Sequence, residues 1–145
     1  MHSVNHYTFY LIHVDVADRN VDSEPSRRAN NNCEPANPAN NVTQRLNNLL
    51  QNSGPDYVLN LCPQETYFIQ APIAYAHPNQ EISTLGYPTG SDRAILTVSG
   101  PIFSNGTGHT NAVDGTCKTC SGVRLRNIQV CRTSGYIHCF NVLDK

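Results

Sequence analysis

The chain has 145 residues and a formal net charge of −1, which suits a single domain with a nearly neutral surface. This charge balance gives no electrostatic reason to expect nucleic acid or a membrane as a partner, and no apolar run approaches the roughly 20 residues of a membrane span. Charged residues make up only 14% of the chain, so Asn, Ser, Thr and Gln must supply the polar surface. That composition favours a secreted, carbohydrate-facing protein.

The first 41 residues are predicted to form a poorly ordered N-terminal segment and linker. Residues 9–16 hold one candidate strand, but residues 1–16 contain no Lys or Arg and show no visible signal peptide. Residues 23–41 carry three Pro and six Asn and little that a core would bury.

The next stretch, Val42–Asn52, has the apolar spacing of one short helix. Its apolar face consists of Val42, Leu46, Leu49 and Leu50. Asn41 is placed to cap the start, and Gln44 is placed to reach back to it as in a capping box. Gly54 is placed to end the helix in a left-handed conformation, and Pro55 prevents its continuation. A helix this short is marginal alone, so we expect its leucine face to pack on an apolar partner.

Residues 57–100 organise the chain, because they hold four short runs rich in β-branched and aromatic residues. Each run is bounded by Pro, Gly, Asn or Ser, which is typical of strands. The runs are residues 57–61, 67–73, 81–85 and 94–98. In a further run at residues 123–130, the alternation of apolar and polar residues shifts by one position at Asn127. The slip predicts two strands that meet at a tight corner, with Asn127 in the left-handed conformation.

Short strands with no helical run between them predict an all-β fold. A spacing of 21 to 22 residues favours the coils of a β-solenoid, and an antiparallel sandwich is the alternative. The residues that this spacing relates are Leu61, Ile82, Phe103 and Leu125.

Six cysteines and two glycosylation triplets indicate an oxidising, extracellular compartment. The triplets begin at Asn41 and Asn105. The disulfide candidates are Cys33, Cys62, Cys117, Cys120, Cys131 and Cys139, and the sequence leaves their pairing open. We expect Cys117 and Cys120 to lie near each other on one turn.

A zinc site is the alternative use of the last four cysteines, with His138 as a spare imidazole. Structural zinc sites commonly pair two Cys-x2-Cys knuckles, and only the one from Cys117 to Cys120 is present. Disulfides are therefore the favoured interpretation, and no metal site is assigned.

Residues 46–130 resemble the N-terminal part of fungal right-handed parallel β-helix proteins of the pectin-lyase-like superfamily. The resemblance lies in the leucine-rich helix and in the segments LNLCPQETYFIQAPI, EISTLGYP, RAILTVSGP and TCKTCSGVRLRNIQV. It implies a short right-handed parallel β-helix, with a capping helix and about three coils over residues 42–130 and an atypical tail over residues 131–145. In that family the substrate groove lies on later coils. The resemblance also implies calcium as a cofactor, and nothing else in the sequence indicates it.

Carboxylates, the groups that such enzymes use for acid and base work or for calcium, occur singly in the strand region. They are Asp56, Glu65, Glu81, Asp92 and Asp114. None recurs at the predicted coil spacing, so they are interpreted as turn residues and no catalytic residue is assigned.

Arg124 and Arg126 share one face of their strand and are candidates for contact with an acidic glycan, because guanidinium pairs well with carboxylate. A solvated strand face is the alternative interpretation. His109 lies in a loop and is a third candidate for ligand contact, with a bystander role as the alternative. Four tyrosines are candidates either for stacking on sugars or for filling the core and turns. They are Tyr57, Tyr67, Tyr75 and Tyr87.

Two functions follow from the resemblance and the composition. The first is the N-terminal piece of an extracellular carbohydrate-active β-helix protein similar to pectate or pectin lyases or polysaccharide hydrolases, catalytically silent as this chain. The second is a non-catalytic extracellular module that binds a glycan or the cell wall. Both predict an acidic polysaccharide as partner, and an open solenoid end predicts self-association.

Overall fold

The computed structural model describes residues 32–98, 112–134 and 136–142. Within these ranges the chain forms one α-helix, preceded by a 3-10 turn at Ala39–Asn41, and nine strands. The elements are α1 (Val42–Asn52), β1 (Val58–Leu61), β2 (Thr66–Ile69), β3 (Ile73–Ala74), β4 (Glu81–Thr84), β5 (Ala94–Val98), β6 (Val113–Asp114), β7 (Arg124–Arg126), β8 (Ile128–Ser134) and β9 (Tyr136–Val142). The prediction of an all-β fold with one short helix is confirmed, and the candidate strand at residues 9–16 lies outside the described residues.

The strands form three sheets that the chain visits in a repeating order. Sheet A contains β1, β4 and β7, sheet B contains β2, β5, β8 and β9, and sheet C contains β3 and β6. Every pairing is parallel except the one between β8 and β9. The chain thus passes through sheets A, B and C twice, then through A and B again, before β9 turns back along β8. An antiparallel sandwich does not fit these pairings.

The register of sheet A corrects the predicted repeat. Leu59, Ile82 and Leu125 are cross-strand partners, at spacings of 23 and 43 residues rather than 21 to 22. Leu61 pairs with Thr84 instead, and Phe103 lies outside the described residues. The period varies because the connections between strands differ in length.

The core lies between the three sheets, where inward side chains stack on their cross-strand partners. Buried members of these stacks are Leu59, Ile82 and Leu125 in sheet A, Tyr67 and Leu96 in sheet B, and Ile73 and Val113 in sheet C. Thr84 is fully buried, and its hydroxyl accepts a hydrogen bond from the Ala94 amide (2.9 Å) and donates one to the Asn127 carbonyl (2.6 Å). The Thr84 hydroxyl, although buried in the core, therefore both donates and accepts a hydrogen bond.

The corner predicted at Asn127 is confirmed. Asn127 separates β7 from β8 and has a φ of +52°, in the left-handed region. The predicted run at 67–73 is also two strands, because the chain bends at residues 70–72 between β2 and β3.

Helix α1 covers the apolar edge of the first circuit through the sheets. Val42, Leu46 and Leu50 are fully buried, whereas Leu49 is only partly buried at the margin of the core. The predicted left-handed stop at Gly54 is confirmed by its φ of +77°. The predicted Asn41 cap is wrong, because this side chain makes no capping hydrogen bond. Its Oδ1 instead accepts one from the guanidinium of Arg45, one helical turn later (2.6 Å).

Polar side chains of α1 bind the free backbone groups at that edge. The Thr43 hydroxyl accepts a hydrogen bond from the Gln70 amide at 3.0 Å. Asn47 accepts one from the Ala74 amide at 2.8 Å and donates one to the Pro72 carbonyl at 3.2 Å. The helix therefore replaces both the apolar contacts and the hydrogen bonds that a preceding strand would supply.

Gln80 joins the end of α1 to the turn before β4. Its side chain is fully buried and donates hydrogen bonds to the carbonyls of Leu50 (2.6 Å) and Gly54 (2.9 Å). Its Oε1 accepts from the amides of Ala76 (2.9 Å) and His77 (3.2 Å). One side chain thus satisfies four backbone groups that the helix end and the turn leave open.

The segment before α1 is attached to the first circuit. A disulfide joins Cys33 to Cys62. The Glu34 amide donates to the Asn60 carbonyl at 2.8 Å, and Ala36 is buried. The predicted boundary at residue 42 leaves this segment outside the fold, whereas the structure packs residues 33–36 against β1.

All six cysteines are paired, as predicted. The other two disulfides are Cys117–Cys120, within one turn, and Cys131–Cys139. The Cys131–Cys139 disulfide joins residues that lie directly opposite each other on β8 and β9. The predicted atypical tail, residues 131–145, therefore begins within β8 and continues into the hairpin that β8 forms with β9. No helix in the described part of the chain is long and apolar enough to cross a membrane.

Candidate functional site

The outer face of sheet A brings together polar side chains from strands that are far apart in sequence. Because Ile82 and Leu125 face the core, their neighbours along β4 and β7 face outward. The outward residues are Glu81 and Ser83 of β4 and Arg124 and Arg126 of β7. The register sets Glu81 beside Arg124 and Ser83 beside Arg126. We refer to these four residues together with Tyr87 as the Glu81 cluster.

Glu81 is fully buried although it lies on the outer face of the sheet. Its Oε1 accepts a hydrogen bond from the Tyr87 hydroxyl at 2.7 Å, and its Oε2 lies 3.5 Å from Nη1 of Arg126. The Arg126 guanidinium also lies over the Tyr87 ring, 4.9 Å from its centroid. The Arg126 guanidinium and the Tyr87 phenol thus both compensate the buried carboxylate of Glu81.

The turn after β4 places Tyr87 over this carboxylate. Gly86 and Tyr87 both adopt positive φ, and the Tyr87 amide donates to the Thr84 carbonyl at 3.0 Å. The corner residue Asn127 fixes the turn, since its side-chain amide donates hydrogen bonds to the carbonyls of Tyr87 (3.3 Å) and Pro88 (3.2 Å). The same left-handed corner that redirects the chain therefore also fixes the cover of Glu81.

Burial raises the pKa of the Tyr87 phenol, and the hydrogen bond to Glu81 and the charge of that carboxylate raise it further. Ser83 and Arg126 act in the opposite direction. Tyr87 is therefore a neutral donor to Glu81 at ordinary pH.

This arrangement stabilises a turn and does not present a reactive group. Both oxygens of Glu81 are engaged and the side chain has no exposed surface, so a substrate cannot reach it while Tyr87 is in place. The predicted period of 21 to 22 residues sets no carboxylate beside Arg124 and Arg126. The true spacing of 43 residues between β4 and β7 brings Glu81 to them.

The predicted glycan-contact residues have different surroundings. Arg124 is exposed, and its carbonyl accepts a hydrogen bond from the hydroxyl of buried Tyr75. Arg126 is largely covered and engaged with Glu81. His109 and the glycosylation acceptor Asn105 lie outside the described residues, and Asn41 is exposed at the start of α1.

Three of the other carboxylates each hold a turn or a loop. Glu65 accepts a hydrogen bond from the Ala36 amide at 2.5 Å, and Asp92 accepts one from the Gln64 side chain at 2.7 Å. Asp114 accepts from both the amide and the hydroxyl of Thr116. Among the described residues no group of three or more His, Cys, Asp or Glu is arranged to hold a metal ion.

The tyrosines divide between core and surface. Tyr67 and Tyr75 are buried in the core, Tyr57 is partly buried and Tyr87 is exposed, so the core-filling interpretation holds for Tyr67 and Tyr75. Burial raises the pKa of both core phenols above its ordinary value. One shallow cleft of about 310 Å³ lies between α1 and the preceding segment. Arg45 lines it, but the guanidinium is engaged with the Pro35 and Pro38 carbonyls, which marks a structural role.

Comparison with known proteins adds no relative to this description. No family model matches the chain, no curated protein matches it, and no solved structure matches it.

Proposed function

We propose that this chain is the N-terminal, end-capped part of an extracellular carbohydrate-active protein with a right-handed parallel β-helix. The observation that supports this most is the order of pairing: the chain passes twice through sheets A, B and C and then through A and B, with α1 lying across the first circuit. Coils of a solenoid pair only with their neighbours, and its terminal units need a cap. The sequence resemblance to pectin-lyase-like proteins points to the same architecture.

The three disulfides support an extracellular location, because disulfides persist in oxidising compartments. The first ties the segment before α1 to β1, and the last ties β9 to β8. These bonds strengthen the two ends of the sheet stack, where a solenoid has the fewest contacts.

We further propose that the chain is catalytically silent by itself. Cleaving a uronide needs an acid or base within hydrogen-bond reach of the substrate, and elimination also needs a cation or Arg for the developing charge. In the described part of the chain Glu81 is covered by Tyr87, the carboxylates of Glu65, Asp92 and Asp114 each accept a hydrogen bond from another group of the chain, and Asp56 lies in the turn before β1. The substrate chemistry is accordingly proposed to lie on further coils of a longer protein.

The test is an incubation of the purified chain with polygalacturonate and with rhamnogalacturonan, each with and without calcium. We expect neither unsaturated products by absorbance nor new reducing ends, with an active polysaccharide lyase as the positive control. Turnover that disappears in Arg124→Ala or Asp114→Ala and survives in Lys118→Ala would refute the proposed silence.

A glycan-binding module is the second candidate, and the surface beside Arg126 favours it. Tyr87 is 42% exposed, and its ring lies against the Arg126 guanidinium on the side of sheet A that carries exposed Arg124. An exposed aromatic residue on the same side of the sheet as the exposed guanidinium of Arg124 suits an acidic sugar, because the ring stacks on the sugar and the cation binds its carboxylate.

Affinity electrophoresis through gels containing polygalacturonate tests this candidate. We expect the chain to be retarded, and Tyr87→Ala to remove the retardation. Phe68→Ala is the matched control, because Phe68 is also an exposed aromatic (50%) but belongs to sheet B. An equal effect of the two variants, or no retardation of the parent chain, would exclude the Tyr87 surface.

A further inference from the structure

We propose that the Cys117–Cys120 disulfide is a thiol-exchange site, at which a low-molecular-weight thiol opens the bond reversibly while the fold stays intact. The two cysteines enclose only Lys118 and Thr119, in a turn between β6 and β7. This activity is separate from the proposed carbohydrate function and does not depend on it.

The two cysteines differ in their exposure to solvent. Cys117 is exposed, whereas Cys120 is 7% exposed. The Cys117 sulfur is thus the point that an external thiolate reaches, and Cys120 is the partner that closes the bond again. The Thr119 hydroxyl lies 3.7 Å from that sulfur, and the exposed cation Lys118 is adjacent in sequence. Donation by that hydroxyl favours a thiolate at Cys117 after the bond opens.

The turn keeps its shape through bonds other than the disulfide. The Cys120 amide donates to the Cys117 carbonyl at 3.1 Å, and the Asn79 amide binds the Ser121 carbonyl at 2.8 Å. The pair spans a sequence separation of 3, and closing so short a loop restricts the unfolded chain much less than closing the separation of 29 between Cys33 and Cys62. Opening Cys117–Cys120 should therefore leave the fold in place.

The other two disulfides each join two separate segments of the fold rather than two residues of one turn. Cys62 is 8% exposed, and its bond anchors the segment before α1. Cys131 is 6% exposed, and its bond fixes the hairpin of β8 and β9. Cys139 is exposed, however, so early opening of Cys131–Cys139 is the competing outcome that an experiment must separate.

The exchange balances as two successive thiol–disulfide displacements. An external thiolate attacks the Cys117 sulfur, a new sulfur–sulfur bond forms there, and the Cys117–Cys120 bond breaks. Cys120 leaves as a thiolate and takes a proton from water. A second external thiolate then attacks the external sulfur, which releases Cys117 as a thiolate and yields the oxidised small disulfide. The protein disulfide gains two electrons, and two external thiols lose one each.

The first test follows the three disulfides of the intact chain during incubation with reduced glutathione, with timed alkylation and peptide mapping by mass spectrometry. We expect Cys117–Cys120 to open at least about tenfold faster than each of the other two, since Cys117 is exposed within a turn, whereas Cys131–Cys139 joins two paired strands and Cys33–Cys62 joins the segment before α1 to the end of β1. The chain with this one bond open should keep its circular dichroism spectrum. Simultaneous opening of all three bonds, or earlier opening of Cys131–Cys139, would overturn the proposal.

The second test uses single variants and separates the roles of the two sulfurs. Cys120→Ser leaves an exposed thiol at Cys117, and Cys117→Ser leaves a buried thiol at Cys120. We expect the first variant to form a mixed disulfide with oxidised glutathione at least about tenfold faster than the second, because burial limits access. Equal rates in variants that keep the parent thermal midpoint would contradict the assigned roles.

Discussion

Replacing Leu46 by Ala tests whether α1 closes the apolar end of the sheet stack. Leu46 is fully buried in the core cluster, in the middle of the helix face that covers the first circuit. Leu→Ala changes at packed sites cost about 2 to 5 kcal/mol, which is a large share of the roughly 5 to 15 kcal/mol that stabilises a small domain. At about 4 °C per kcal/mol, the thermal midpoint should fall by about 8 to 20 °C.

Leu49→Ala is the matched control, because it removes the same atoms from the same helix at a partly buried position. It should cost only about 1 kcal/mol, since it loses less buried area. Thermal melts followed by circular dichroism, together with urea titrations, measure both variants. If the two variants lose equal stability, or if Leu46→Ala melts like the parent chain, then the reasoning about the cap is wrong.

Three further predictions concern the fold. Gln80→Leu should lower the free energy of unfolding by at least about 2 kcal/mol in urea titrations, because it leaves four backbone groups, all of them partly or fully buried, without their hydrogen-bond partner; an unchanged value would contradict that role. Burial raises the folded pKa of Tyr67 and Tyr75 above the value near 10 expected in the unfolded chain, so stability should be level below about pH 9 and fall above about pH 10. Tyr75→Phe should weaken that alkaline fall, and an identical pH profile would refute the assignment. Because β7 lies at the edge of sheet A, we expect the chain to associate as its concentration rises. A clean monomer in sedimentation over about a hundredfold concentration range would contradict this expectation.

Three features that depend on local chemistry were predictable from the sequence, although the capping bond of Asn41 was not. The helix at Val42–Asn52, its end at Gly54 and the corner at Asn127 all follow from apolar spacing and from residues that tolerate positive φ. These signals lie within a few residues of the structure they produce, so no knowledge of the tertiary fold is needed to interpret them.

Features that depend on register were not predictable. The spacing from β1 to β4 is 23 residues and that from β4 to β7 is 43, so no constant period exists to be found. The burial of Glu81 and its contact with Arg126 depend on that register and on a turn that brings Tyr87 back over the sheet. The four hydrogen bonds of Gln80 were not predictable either, because a glutamine before a strand occurs in many structural settings.

The segment before α1 was misjudged for a different reason. Its Asn and Pro content predicts disorder, but one disulfide and the backbone hydrogen bond from Glu34 to Asn60 attach residues 33–36 to the first circuit. Composition describes what a segment can bury, whereas a disulfide fixes a segment that buries little.

Couplings across hydrogen bonds can establish that the chain winds through three parallel sheets in a repeating order. Nuclear magnetic resonance of the isotope-labelled chain detects which carbonyl each amide binds. The account predicts couplings from the Glu81 amide to the Tyr57 carbonyl, from the Ile95 amide to the Glu65 carbonyl, and from the Arg124 amide to the Gln80 carbonyl. Couplings of these amides to other carbonyls, in an antiparallel pattern, would contradict both the register and the proposed β-helix.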